Sequence, residues 1–258
     1  MADDGRANEM ANRGAVRVIA AIAGICLLAA AAPAWAVLAT LPADADSYLH
    51  GNVPTGNFGG SSLVKVKNGD DTPIFSRKAY LRYNLAGLPP AIRTGSLHFE
   101  FVESGEGMGG TTIDWTFEVF GLADGNAGET WNETTINWNN APENNTTDGN
   151  GLLAGATSLG TFTFTGRTAS VDFTGTNGVA VRNFLGDRDA NDLATLIVVR
   201  NTTAPPSDNY VHSFASSEHT TPALQPTLYV EAVPEPSTLV LLICGLVSLG
   251  RSARCGGR

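Results

Sequence analysis

The chain has 258 residues, 43% of them hydrophobic, with 16 Lys and Arg against 25 Asp and Glu, for a formal charge of −9 at pH 7. An acidic surface repels phosphates and so excludes nucleic acid as a partner. The three cysteines, Cys26, Cys244 and Cys255, lie toward the ends, which excludes disulfides, thiolate metal sites and a cysteine nucleophile from everything between them.

At the N-terminus Arg13 and Arg17 precede an apolar run over residues 18–32, and Ala34-Trp35-Ala36 follows as a small-x-small motif. That order predicts a signal peptide over 1–36, with Ala34 and Ala36 marking the cleavage site and the Sec machinery as export partner. The body, 37–232, is long enough to bury a core without sulphur bridges. It carries ten Lys and Arg against twenty-one Asp and Glu, which suits an exported protein or one that uses Ca²⁺.

Within the body, apolar residues fall in short alternating bursts, the period of strands with one buried face. Val64 and Val66 alternate with Lys65 and Lys67. Ala79, Leu81 and Tyr83 alternate with Lys78, Tyr80 and Arg82. Leu97, Phe99 and Phe101, then Trp115, Phe117 and Val119, repeat the pattern, as do Phe162 with Phe164 and Val171 with Phe173. Residues 193–199 are almost continuously apolar and should be buried on both faces. Residues 210–214 and 227–230 complete the set. Turn residues such as Asn68-Gly69, Gly87 to Pro90 and Asp124-Gly125-Asn126 separate the bursts. One helix is expected over 177–185, with Val179, Phe184 and Leu185 on its apolar side and Gly186 as its stop. The fold class is therefore all-β: an antiparallel jelly-roll β-sandwich with one short helix.

The tail, 233–258, begins Val233-Pro234-Glu235-Pro236-Ser237, continues with an apolar run over 238–249 and ends with Arg251, Arg254 and Arg258. This order resembles the PEP-CTERM sorting signal of Gram-negative bacteria that make extracellular polysaccharide. The resemblance implies that an exosortase recognises Pro234, Glu235 and Pro236 and processes the tail. The run should form a short apolar helix. It is short of the roughly 20 residues of a stable spanning segment, and the arginines would hold its end on the cytoplasmic side. A simple short anchor is the other reading.

Several body patterns recur in a fixed order: Asp46-Ser47-Tyr48-Leu49, Asn57-Phe58-Gly59-Gly60-Ser61-Ser62, Arg77 through Leu85, then Trp131-Asn132-Glu133-Thr134-Thr135-Ile136-Asn137-Trp138 running on to Ala141-Pro142, and finally Phe214-Ala215-Ser216-Ser217-Glu218. Together they resemble the DNRLRE domain, also grouped with the family 96 carbohydrate-binding modules, over about residues 44–231. The resemblance implies a jelly-roll sandwich on a secreted or surface protein that binds extracellular polysaccharide without catalysis. Ser217 stands where the pattern has Arg.

Three groups of residues carry candidate chemistry. Trp131 and Trp138 offer flat faces for sugar C–H groups, or their spacing tucks a crossover onto the core, the commoner fate of large aromatics. Lys65 and Lys67 share one side of a strand, and Lys78, Tyr80 and Arg82 share one side of another. As neighbours they would form a basic stripe for an anionic polysaccharide, or an ordinary solvated sheet face. Asp44, Asp46 and Asn57 offer oxygens to Ca²⁺ near the start of the sandwich. No zinc-type histidine pair, nucleophile elbow or phosphate loop is present, so no enzyme is expected. The alternatives are a purely structural biofilm or envelope protein and a polysaccharide lyase or hydrolase using carboxylates among Glu100, Glu103, Asp114 and Glu118.

Overall fold

The computed structural model describes residues 36–69, 73–187, 191–203 and 209–234. The apolar run and Ala34 of the expected signal peptide, and Glu235, Pro236 and the apolar run of the tail, lie outside the described residues. No helix among the described residues is long and apolar enough to cross a membrane.

The nine bursts become strands, and two more that no burst marked, β1 and β2, precede them among the described residues: β1 Val37–Pro42, β2 Ala45–His50, β3 Leu63–Val66, β4 Arg77–Asn84, β5 Ala91–Val102, β6 Asp114–Leu122, β7 Ala156–Thr165, β8 Ala169–Phe173, β9 Leu193–Arg200, β10 His212–Ala215 and β11 Thr227–Val233. One sheet runs β1-β11-β5-β10-β3, with β8 also paired to β5; the other runs β2-β4-β9-β6-β7. All ladders are antiparallel. The chain changes sheet at most connections, the winding expected of a jelly roll.

Period-two alternation explains the core. Val64, Val66, Leu97, Phe99, Phe101, Phe214 and Leu228 from the first sheet meet Ala79, Leu81, Tyr83, Trp115, Phe117, Leu196 and Val198 from the second. Phe117 stacks on Phe162 and Phe164 across the β6–β7 ladder, with ring centroids 5.2 and 5.1 Å apart. Such pairs contribute about 0.5–1.5 kcal/mol each beyond the area they bury. β9 is buried on both faces, as its continuous apolar run predicts: Leu196 and Val198 enter this core, while Ile197 and Val199 join a second apolar cluster on the far side of the sheet.

The expected helix begins later than the sequence pattern suggests. A 3-10 turn occupies Thr176–Gly178, and the helix proper, α1, is Ala180–Gly186. Its fully buried side chains are Val181 and Leu185, one turn apart, with Phe184 partly buried against the core beside Gly121, whereas Val179 precedes the helix. Val181 and Leu185 seat on Gly95 of β5, where a Cβ would come within 2.9 Å of Leu185 Cδ1. A seven-residue helix is held by such packing, not by its own propensity.

Candidate functional site

Because Ala79, Leu81 and Tyr83 point into the core, Lys78, Tyr80 and Arg82 emerge on the outer face of their sheet. That face is not open. The crossover between β6 and β7, residues 123–155, folds over it, and Lys78 and Tyr80 are 0% exposed. Trp131, Ile136, Trp138 and Ala141 pack there on Tyr80, Ile197 and Val199. Each indole N–H is used internally: Trp131 donates to Thr195 Oγ1 at 3.1 Å and Trp138 to the Thr146 carbonyl at 3.2 Å. Their faces carry Arg82 and Lys78, at 5.1 and 4.8 Å from the ring centroids. The tryptophans are thus arranged as the crossover's anchors and not as a sugar platform.

Lys78 is a buried cation in a cage of oxygens. Its Nζ donates to Asn144 Oδ1 at 2.9 Å and to the carbonyls of Asn145, Asp148 and Gly151 at 3.3, 3.1 and 2.6 Å. Burial pulls its ammonium down to about 7, and the Asp148 charge works against that pull. The Tyr80 hydroxyl donates to the Pro142 carbonyl at 2.9 Å. Arg82 binds Asp44 Oδ2 at 2.7 Å and donates to the Trp131 carbonyl. The stripe expected from Lys65, Lys67, Lys78, Tyr80 and Arg82 is therefore not a single surface: its second half holds down the crossover.

The other half meets new partners at a corner of the sandwich. The backbones of Lys67 and Arg77 exchange hydrogen bonds of 3.0 and 2.9 Å, joining the end of β3 in one sheet to the start of β4 in the other. Glu106, from the loop after β5, accepts from Lys65 and, at 3.0 Å, from Arg77. His50 pairs with Arg77 at the end of β2. Burial pushes its imidazole down to about 4, helped by the charges of Arg77, Lys65 and Lys67. Lys67 is also held below the usual lysine range, by burial and by Arg77 and Arg200. On an acidic protein this is a concentrated positive field. Aromatic rings frame it: Phe58 stacks on Tyr48 at 4.4 Å, Lys65 lies 5.5 Å from the Tyr48 ring, and Lys67 lies 5.7 Å from the ring of Phe75, which is 56% exposed. Arg77, His50, Phe75 and Glu106 are the members that alternation along single strands does not reveal, because the corner joins two sheets and a loop.

The expected calcium trio is divided. Asp44 is committed to Arg82. Asn57 donates through Nδ2 to the carbonyls of Glu133 and Ile136 at 2.6 and 2.8 Å, and so positions the crossover. Asp46 instead joins Glu133 and Glu218: the three can bring carboxylate oxygens within 4.8 Å of one another. Burial pushes Asp46 up to about 7 and also raises Glu133. A buried polar atom left without a partner costs about 1–3 kcal/mol, more when charged.

Two of the carboxylate pairs open to the hydrolase alternative are held apart. Glu100 and Glu118 alternate with core residues of β5 and β6, so they stand on opposite outer faces of the sandwich. Asp114 and Glu118 share a face but are four residues apart on one strand, roughly 14 Å at the strand rise, beyond the roughly 5–9.5 Å of glycosidase pairs. Glu103 accepts from the Tyr210 hydroxyl at 3.0 Å.

No curated protein matches the chain. The model of carbohydrate-binding module family 96 matches residues 37–158, a span that supplies β1 to β6, the start of β7, the whole basic corner, and Asp46 and Glu133. The fold unit extends further, because β9 pairs with both β4 and β6, and β11 with both β1 and β5. The sandwich assembled from these strands is a carbohydrate-binding-module-like domain.

Proposed function

We propose that this is an exported, non-catalytic protein of the cell surface or extracellular matrix that binds an anionic polysaccharide at the corner formed by Lys65, Lys67 and Arg77. The observation that carries the reading is the placing of the positive corner, framed by the half-exposed Phe75 ring, inside the segment that matches a carbohydrate-binding family. Guanidinium and ammonium groups suit uronate carboxylates, and an exposed ring suits the C–H face of a pyranose. Glu106 occupies the position a ligand carboxylate would take between Lys65 and Arg77. The export and sorting parts of the proposal rest on the terminal motifs, with Sec acting on 1–36 and an exosortase on Pro234-Glu235-Pro236.

Affinity electrophoresis against uronate-rich, sulfated and neutral polysaccharides tests it. Binding to an acidic polymer should weaken about tenfold in Lys67→Ala and in Phe75→Ala, a loss of about 1.4 kcal/mol, with thermal stability little changed. Failure to bind any acidic polymer would abandon the glycan reading and leave a structural role in the envelope.

A further inference from the structure

On a different part of the sandwich, Asp46, Glu133 and Glu218 arrive from three distant segments: β2, the crossover and the chain just after β10. Asp46 is 1% exposed. It lies opposite Leu81 in the β2–β4 ladder, so its carboxylate points toward the interior. Oδ2 accepts from the Ser217 N–H at 2.6 Å, whereas Oδ1 is buried and accepts no hydrogen bond among the described residues. Glu133 Oε1 accepts from the Asp46 N–H at 2.7 Å. Glu218 accepts from the neighbouring Ser217 hydroxyl at 2.9 Å.

The charges around this cluster do not balance. Asp44 adds a fourth carboxylate to the field at Glu133, and the guanidinium acting there, Arg82, is bound to Asp44. The Tyr83 hydroxyl is buried nearby in the field of Asp46, with no partner among the described residues. A proton on Asp46 would answer one oxygen; a divalent cation would answer three carboxylates together. An all-oxygen donor set selects a hard cation. Oxygens on opposite sides of Ca²⁺ stand about 4.6–5.2 Å apart, at about 2.3–2.6 Å from the ion, a span that accommodates these three.

We propose that Asp46, Glu133 and Glu218 form a Ca²⁺ site that staples the crossover to both sheets. The backbone at Glu133 is held firmly in place. Asn57 holds its carbonyl, and Gly59 lies so close that a Cβ there would meet the Glu133 carbonyl oxygen at 2.3 Å. The site stands independently of the glycan reading.

The test uses the full chain, stripped with chelator and titrated with Ca²⁺ or Mg²⁺ in the absence of polysaccharide. Melting temperature is one readout. The other is Tb³⁺ luminescence excited through tryptophan, since Trp131 is two residues from Glu133. Ca²⁺ should raise the melting temperature by several degrees, saturating at sub-millimolar to millimolar ion, and Mg²⁺ should require at least about tenfold more. Glu133→Gln should weaken Tb³⁺ binding at least about tenfold. Glu218→Gln, on an exposed side chain, should do the same and keeps the test alive if the first variant folds poorly. A melting temperature indifferent to Ca²⁺ up to about 10 mM, or a Glu218→Gln variant with an unchanged Tb³⁺ midpoint, would overturn the proposal. Loss of glycan binding with the Ca²⁺ response intact would overturn only the glycan reading.

Discussion

Lys67 and Lys78 flank the same turn, yet the protein uses them in opposite ways. At the corner, Lys67 lies beside Arg77, Lys65 and the exposed Phe75 ring. Under the crossover, Lys78 spends its charge on oxygens of the chain itself. The difference does not lie in the strands, which present both side chains by simple alternation. It lies in whether another segment folds over them. A cation that is covered becomes a fastener for its cover, while one left at an edge is, on the function proposed above, the one that meets a ligand.

The largest effect expected from this contrast is at Lys78. Lys78→Met retains most of the apolar stem but leaves the four oxygens without their donor, and should cost about 3–5 kcal/mol in urea unfolding. The fraction that still folds should bind polysaccharide as before. Equal loss of binding and stability would erase the distinction between the two regions.

The histidines sharpen the contrast. His212, 0% exposed, is pushed down to about 3 by burial, with Arg200 and Arg167 adding to the effect against the Gly166 carbonyl. A depressed histidine stays neutral in the fold, while the unfolded chain takes up a proton near 6.5. Stability should therefore fall with pH below that value and go on falling until about 3, with about 2 kcal/mol lost between about pH 7.5 and 5. Asp46, raised to about 7, contributes the opposite slope over part of this range. The measurement is thus the difference in slope between the wild type and His212→Asn, and parallel curves would count against a neutral His212. Tyr80→Phe comes next: removing the hydrogen bond to Pro142 should cost about 1 kcal/mol without touching binding. The smallest effect is at His50. A bound polyanion should raise its titration, read by NMR, by less than about one pH unit, while His212 stays where it is.

Much of the sandwich was legible in the sequence. Alternation located nine of the strands but not β1 and β2 at the start of the body, and the unbroken apolar run announced β9 as covered on both sides. What covered it was not legible, because Trp131, Trp138 and Lys78 meet only after some sixty residues of chain have folded back, as the Lys78 bond to Asn144 across 66 positions shows. The acidic cluster repeats the lesson. Asp46 could be singled out near the start of the body, but its companions come from 87 residues further on and from beside Ser217, 171 residues away. The two residues first grouped with Asp46 as oxygen donors, Asp44 and Asn57, are drawn off to other duties. Local pattern reports which way a side chain points; only closure of the fold decides what it meets.

The last strand before the tail has one further consequence. β11 is paired along both edges, with β1 on one side and β5 on the other, and Val37 stands beside Ala232 in the ladder. Tension applied at Val233 along the strand direction would load both ladders in shear, sharing the force among many rungs at once instead of unzipping them singly. Removal of whatever follows Val233 would leave every one of those rungs in place. A sandwich closed in this way resists a pull on its last strand with two ladders rather than one.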